Sequence, residues 1–352
     1  MIKKIAILVF LLFSLSLPAK VWAQEEKLME GEVVKIFSQE EIDTGWRQSL
    51  GILIKKGDEE GKSVKVISGQ TQLDKRRFSI GDKVILAASE DLEGNKIYYI
   101  DDYIRRPILG ILTGIFLFLV LLIGGWRGTK SLLGLVVSFG VILFLVLPWL
   151  NQGKNPVLVS FLASILMIPP LFYFSHGFSA KTSAAVLGTV VALLIILFLA
   201  SSFVRMAHLT GLSSEEAGFL QTSHATKFNF QGLILAGIII GALGVLDDIT
   251  ISQASVVEKL RQNTQLKDGK LFWESLTVGR DHIASMVNTL ILAYVGASLP
   301  LLLLFIDNPK PLSLVINYEI IAEEIIRSLI GSIGLIMAVP ITTFLAVKMI
   351  KK

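Results

Sequence analysis

The chain has 352 residues, 53% of them hydrophobic and only 18% charged, with a mean hydropathy of +0.66. That excludes an ordinary soluble domain and points to a protein that crosses a bilayer several times. The net charge of +4 fits Lys and Arg flanking membrane spans and not a nucleic-acid surface, and zero cysteines exclude disulfides, thiol nucleophiles and Cys-based metal sites.

The first residues read as a secretory signal. Met1-Ile-Lys-Lys4 is a basic start, Ile5 to Leu17 an apolar core too short for a span, and Val21 and Ala23 suit the cleavage positions. Residues 1–23 are therefore predicted to be a signal peptide.

Residues 24–106 are polar, charged and β-rich. Short runs at 30–37, 49–55, 62–67, 83–87 and 96–100 are separated by Gly, Asp and Asn clusters at about ten-residue spacing. They predict a small all-β domain outside the cytoplasm, an OB-like antiparallel barrel, with Phe78 to Ile85 as a turn feeding a strand. Gly57-Asp-Glu-Glu-Gly-Lys-Ser63 imitates a phosphate-binding loop. Its glycines are one residue too close and it lies between strands, so it reads as an acidic turn.

Residues 107–352 form the membrane domain, with seven expected spans: 108–125, 131–150, 156–174, 183–204, 231–252, 283–305 and 325–348. An outside β domain and an odd number of spans put the C-terminus inside. Lys181, Lys259, Arg261, Lys348 and Lys352 then lie on the cytoplasmic side, as the positive-inside rule requires. Gly125-Trp-Arg-Gly-Thr-Lys-Ser131 and Gly177-Phe-Ser-Ala-Lys-Thr-Ser183 resemble each other and precede the second and fourth spans, a hint of parallel repeats. Pro169 and Pro170 should kink the third span.

Span five carries the strongest functional signal. Asp247 and Asp248 sit in an apolar helix about 23 Å from its start, and charge at membrane depth usually marks a path. Gly237, Gly241, Gly244, Asp248, Ser252 and Ser255 share one stripe, where glycines allow a neighbouring helix to approach. Span six opens with Gly279-Arg-Asp-His282, and Asp281, Ser285 and Asn288 share a face, with Thr289 beside it. Spans five and six meet at the cytoplasmic side, so Arg280 and His282 are within reach of Asp247 and Asp248. Two readings stand: an embedded proton or cation site, or carboxylates at the interface, with Asp248 capping the segment that follows.

Other polar residues carry less. Glu319, Glu323, Glu324 and Arg327 read as a solvated helix entry, and Ser213 to Glu216 as a near capping box. His208, Glu215 and His224 match no metal-ligand spacing. Val256 to Trp273 is expected to lie along the inner leaflet, with Leu260 and Trp273 dipping in.

Four stretches resemble the YibE/F family of bacterial multi-span proteins: Phe178 to Thr189, Thr210-Gly-Leu-Ser-Ser-Glu-Glu216, Gly241-Ala-Leu-Gly-Val-Leu-Asp-Asp248 with Ser252 and Ser255, and Gly279 to Gly296. The likeness runs from about residue 25 to the end and is strongest over 177–300. It implies that Asp248 is the motif acid, with Asp247 an addition of this chain. It further implies that Arg280, Asp281, Asn288 and Thr289 belong to a motif from which His282 departs. The resemblance supplies a membrane protein and no substrate.

The resulting expectation is a permease-like carrier of a small solute or ion in the bacterial cytoplasmic membrane. Its partners are the lipid bilayer and a second copy or an envelope protein, with no nucleic acid, cofactor or metal. A non-transporting scaffold or envelope assembly factor is the alternative. An enzyme is not expected, since neither Gly-x-Ser-x-Gly nor His-Glu-x-x-His occurs.

Overall fold

The computed structural model describes residues 28–42, 45–69, 76–90, 96–224, 228–306 and 310–351, so the expected signal peptide, 1–23, lies outside the described residues. The chain divides into two compact units between Leu122 and Ile123.

The first unit contains β1 (Met29–Ile42), β2 (Gly45–Lys56), β3 (Ser63–Ser68), β4 (Lys83–Glu90) and β5 (Lys96–Tyr103). They form one antiparallel sheet in the order β3-β2-β1-β4-β5. Alternation places Val64 and Val66 of β3 inward, against Leu50, Ile52 and Ile54 of β2, Val84 and Leu86 of β4, and Phe78. Gln48, fully buried, fastens the turn region to β2: its amide donates to the Phe78 carbonyl (2.9 Å) and accepts from the Phe78 N–H (2.7 Å). Gly31 is required where β1 crosses the core, because a Cβ there would stand 2.6 Å from Ile52 Cγ2.

The closed barrel expected from the sequence is not what the described strands form. No ladder joins the edge strands β3 and β5, so the sheet is open. Side chains bridge that edge instead. The acidic turn Gly57 to Ser63 presents Glu59, whose carboxylate meets Lys96 Nζ (2.5 Å) and accepts from Tyr98 Oη (2.6 Å) on β5, and also pairs with Lys62 (2.9 Å). Lys96 first, then Tyr98 and Lys62, hold the Glu59 carboxyl down from 4.5 to about 2. A depressed carboxylate pKa means that the folded state binds fewer protons than the unfolded one. This stabilisation is full above about pH 4.5 and disappears as pH falls to about 2. Replacing Glu59 with Gln should therefore flatten the acid limb of β-unit stability in that window and leave it alone below pH 2. Tryptophan fluorescence of Trp46 across an acid titration measures this.

The helices follow as α1 (Arg106–Trp126), α2 (Gly128–Asn151), α3 (Pro156–His176), α4 (Ala180–Met206), α5 (Glu215–His224), α6 (Phe230–Asn263), α7 (Asp268–Ala297), α8 (Leu299–Ile306), α9 (Leu312–Val315) and α10 (Glu319–Met349). α1 and α2 are two helices separated by a non-helical backbone at Gly125, whose φ of 51° only glycine adopts readily. The matching Gly177 before α4 also has positive φ (75°), and Ser179 caps α4 by accepting from the Thr182 N–H. α2 contains a π-helical turn at Ile142–Val146, and α3 carries Pro169 and Pro170.

Among the described residues six helices are long and apolar enough to cross a membrane: α1, α2, α3, α4, α6 and α10. The stretch predicted as a sixth span, 283–305, is not among them. It is divided between α7 and α8 at Ser298, and the polar residues of α7 from Arg280 onward dilute its apolar character. Pro300 has no N–H to continue the α7 ladder. The segment Val256 to Trp273 also differs from expectation. Residues up to Asn263 continue α6 as one helix, α7 starts at Asp268, and Leu271 is buried against the unit's core.

In the second unit α10 packs against α4, α6 and α7, and α6 also against α3 and α4. Alanines at 184, 185, 192, 200, 254, 338 and 346 are buried in these seams and let backbones come close. Glycines go further. A Cβ at Gly188 would stand 2.2 Å from Thr342 Oγ1, at Gly279 2.6 Å from Val339 Cγ1, and at Gly334 2.2 Å from Ile196 Cδ1. Ion pairs fasten one end of the unit: Lys181–Glu258 (2.8 Å) and Arg261–Asp268 (2.8 Å), with Arg261 also donating to the Val347 carbonyl (2.6 Å). At the opposite end Glu319 receives the N–H groups of Thr210 (2.5 Å) and Gly211 (2.8 Å).

Candidate membrane-embedded polar site

Helix α6 positions the two carboxylates. Asp247 lies eleven residues before Glu258, hence about 16 Å from the ion-paired end at 1.5 Å per residue, near the middle of a hydrocarbon layer about 30 Å thick. Asp247 is half-buried, and its Oδ1 is shielded and meets no donor of the protein; Asp248 is exposed. Neither forms an ion pair with Arg280 within this chain, among the described residues. Arg280, Asp281, Ser285, Asn288 and Thr289 are all exposed on α7. His282 instead meets α6 one turn nearer the ion-paired end, with Ser252 Oγ 3.3 Å from His282 Nδ1.

The glycine stripe has an unexpected surround. Among the described residues nothing stands within 4 Å of a Cβ placed at Gly237 or Gly244, and at Gly241 Tyr294 Oη comes close, at 3.3 Å. Gly237, Gly241, Gly244 and Asp248 are all exposed, so this stripe points away from the unit's core. The opposite side of α6 bears the packed surface, with Ile238, Ile239, Leu246 and Ile249 buried. The spacing correctly groups these residues on one side. It does not say which side is covered.

Sequence reasoning missed a second, neutral polar centre. Gln253, with no exposed surface, donates to the Ser275 carbonyl on α7 (2.9 Å) and to Thr343 Oγ1 on α10 (2.8 Å). One turn away, Thr250 and Thr189 of α4 share a 2.9 Å hydroxyl contact. Gln253 Oε1, Ser275 Oγ and Thr342 Oγ1 are buried without a hydrogen-bond partner. Four helices therefore converge on an amide and several hydroxyls at a depth where hydrocarbon would leave them unsatisfied. The signal was available: Thr250 and Gln253 are i, i+3 on the helix already singled out, and Thr342-Thr343 follows Pro340, which interrupts the α10 ladder.

The third polar group is a lock at the opposite end. The Glu319 carboxylate collects two backbone N–H groups and the Thr210 hydroxyl (2.9 Å), while Ser213 donates to Glu323 (2.9 Å), which also pairs with Arg327. Gly211 has φ 82°, and a Cβ there would lie 2.4 Å from the Phe230 carbonyl oxygen. Glu319 is thus a docking acid for the Thr210–Glu216 loop and not merely part of a wet helix entry. Because Ser213 is engaged this way, the cap of α5 falls to Ser214, which accepts from the Ala217 N–H (3.2 Å).

Comparison with known proteins agrees with the region these groups occupy. No curated protein and no solved structure matches the chain. A family model described as YibE/F-like protein matches residues 112–352, which contain all three polar groups. That is well over half of the 352 residues, and the chain belongs to the YibE/F-like family of membrane proteins.

Proposed function

We propose that this protein is a permease-like carrier of a small ion or solute in the bacterial cytoplasmic membrane, with its polar path along α6 and α7. One observation carries the reading: adjacent carboxylates stand at mid-depth of an apolar helix, and Asp247 Oδ1 is shielded without a partner. An acid so placed favours a cation or proton as its transient counter-charge. The neutral centre at Gln253 lies on the same helix one to two turns nearer the ion-paired end, and polar groups along one helix suit stepwise passage.

The topology that goes with this reading has seven crossings, the β domain outside and the C-terminus inside. α7 starts at the ion-paired end, beside Arg261, while α10 starts at the Glu319 end. In this reading the α7–α8 stretch traverses the same thickness as its neighbours, although its hydropathy is lower. A cleaved signal and an outer β domain that recruits an envelope protein complete the proposal.

The test is a flux screen on purified protein in liposomes, over a broad panel of ions and solutes, with Asp247→Asn and Asp248→Asn beside the wild type. The expected result is wild-type flux that falls to background in Asp247→Asn at unchanged protein abundance. Absence of wild-type flux across the panel overturns the carrier. The outward position of Asp248 and the glycines favours the second reading, a non-transporting scaffold, in which Asp248→Asn loses a partner and no flux exists to lose.

A further inference from the structure

We propose that the outward side of α6 and α7 is a contact surface for a second copy of this chain, arranged about a two-fold axis along the membrane normal. This goes beyond the carrier reading and does not depend on it.

Three observations converge. The face is polar at membrane depth: Asp248 on α6 and Arg280, Asp281, Ser285, Asn288 and Thr289 on α7 are exposed. Charged and amide side chains are costly against lipid and normally face protein or water. Next, the same face has a cleft-forming backbone. Within the helical unit Gly237 and Gly244 open onto free space among the described residues, so a neighbouring helix can approach there as closely as helices do at small-residue seams. The buried seams of this same unit use Gly188, Gly279 and Gly334 in that way.

Third, the face is complementary to itself. It carries two acids, Asp248 and Asp281, and one base, Arg280, and none of the three forms an ion pair within the helical unit among the described residues. A two-fold axis along the normal keeps each residue at the same depth in both copies and pairs i with j and j with i. Gly279 lies against Gln253, which sets the register between the helices. Asp248 is five residues beyond Gln253 and Arg280 one residue beyond Gly279, an offset of about 6 Å at 1.5 Å per residue. An extended arginine side chain covers that difference. Arg280 of each copy can therefore meet Asp248 of the other, and the pair is made twice.

The natural absence of cysteine makes the test direct. Single cysteines are placed at Gly244 and Asn288 on this face, and at Phe198 and Phe344, exposed on α4 and α10. Native membranes are treated with a short bis-maleimide and the products resolved by mass. Gly244→Cys and Asn288→Cys should give a species of twice the chain mass, while Phe198→Cys and Phe344→Cys should stay single. In the Gly244→Cys background, Asp248→Arg or Arg280→Asp alone should lower the cross-linked fraction, and the two together should restore it. The proposal is overturned if positions 244 and 288 fail to cross-link at normal abundance, or if all four positions cross-link equally. It is likewise overturned by a product containing a different protein, or by loss in the double exchange as severe as in the single variants. Flux plays no part in these readouts, so failure here and failure of the carrier reading are separable.

Discussion

Gly188→Ala and Gly279→Ala should each destabilise the helical unit by about 1–3 kcal/mol, the usual cost of forcing a methyl group into a filled seam. At Gly188 the new methyl would meet not only Thr342 Oγ1 but also the Thr342 backbone, with Cα at 3.3 Å, so rotating a side chain cannot relieve it. At Gly279 it would press on Val339 and on the Gln253 amide together, with Oε1 at 2.7 Å. Gly237→Ala and Gly244→Ala are the controls, because their methyls enter open space and gain up to about 1 kcal/mol of helix propensity. Thermal unfolding in detergent at a concentration where the protein is monomeric compares all four. Equal losses at 188 and 244 would contradict the assignment of buried and outward faces.

Gln253→Ala should be the most damaging polar substitution in the unit, at about 2–4 kcal/mol. It opens a cavity among α6, α7 and α10 and removes both donated hydrogen bonds, to the Ser275 carbonyl and to Thr343 Oγ1. Gln253→Met separates the two contributions, since it nearly keeps the volume and loses only the hydrogen bonds, for a cost of about 1–2 kcal/mol. The expected order of stability is wild type, then Met, then Ala, in the same detergent melts. If Met matches the wild type, the amide contributes nothing to holding the helices together. Should Met instead fold normally while abolishing transport, Gln253 belongs to the path.

Legibility varied with how local the signal was. The β runs were placed to within a few residues, as β4 and β5 show, because period-two alternation and turn glycines act over short range. Closure of the barrel was not legible, since it depends on whether two distant edges form a ladder. Here Glu59 and its partners on β5 take that place. The Glu319 lock was hidden for the same reason: it joins residues more than a hundred positions apart. Its outward sign, a polar cluster at a helix start, looks identical to a solvated entry. At α7 the spacing grouped Ser285 and Asn288 correctly, yet the expected meeting with Asp247 and Asp248 did not follow. Antiparallel helices bring only one side of each into contact.

Composition and periodicity by themselves determined that this is a multi-span membrane protein with a small β domain, that α6 is its most unusual helix, and which residues share a side of it. Those properties follow from run length and helical pitch, which neighbouring residues set. Only the tertiary structure decided that Gly188 and Gly279 are filled by neighbours while Gly237 and Gly244 are not, and that Gln253 lies inside while Asp248 and Arg280 lie outside. Burial is a property of what packs against a surface. A helix with polar residues on both sides leaves that choice to its partners.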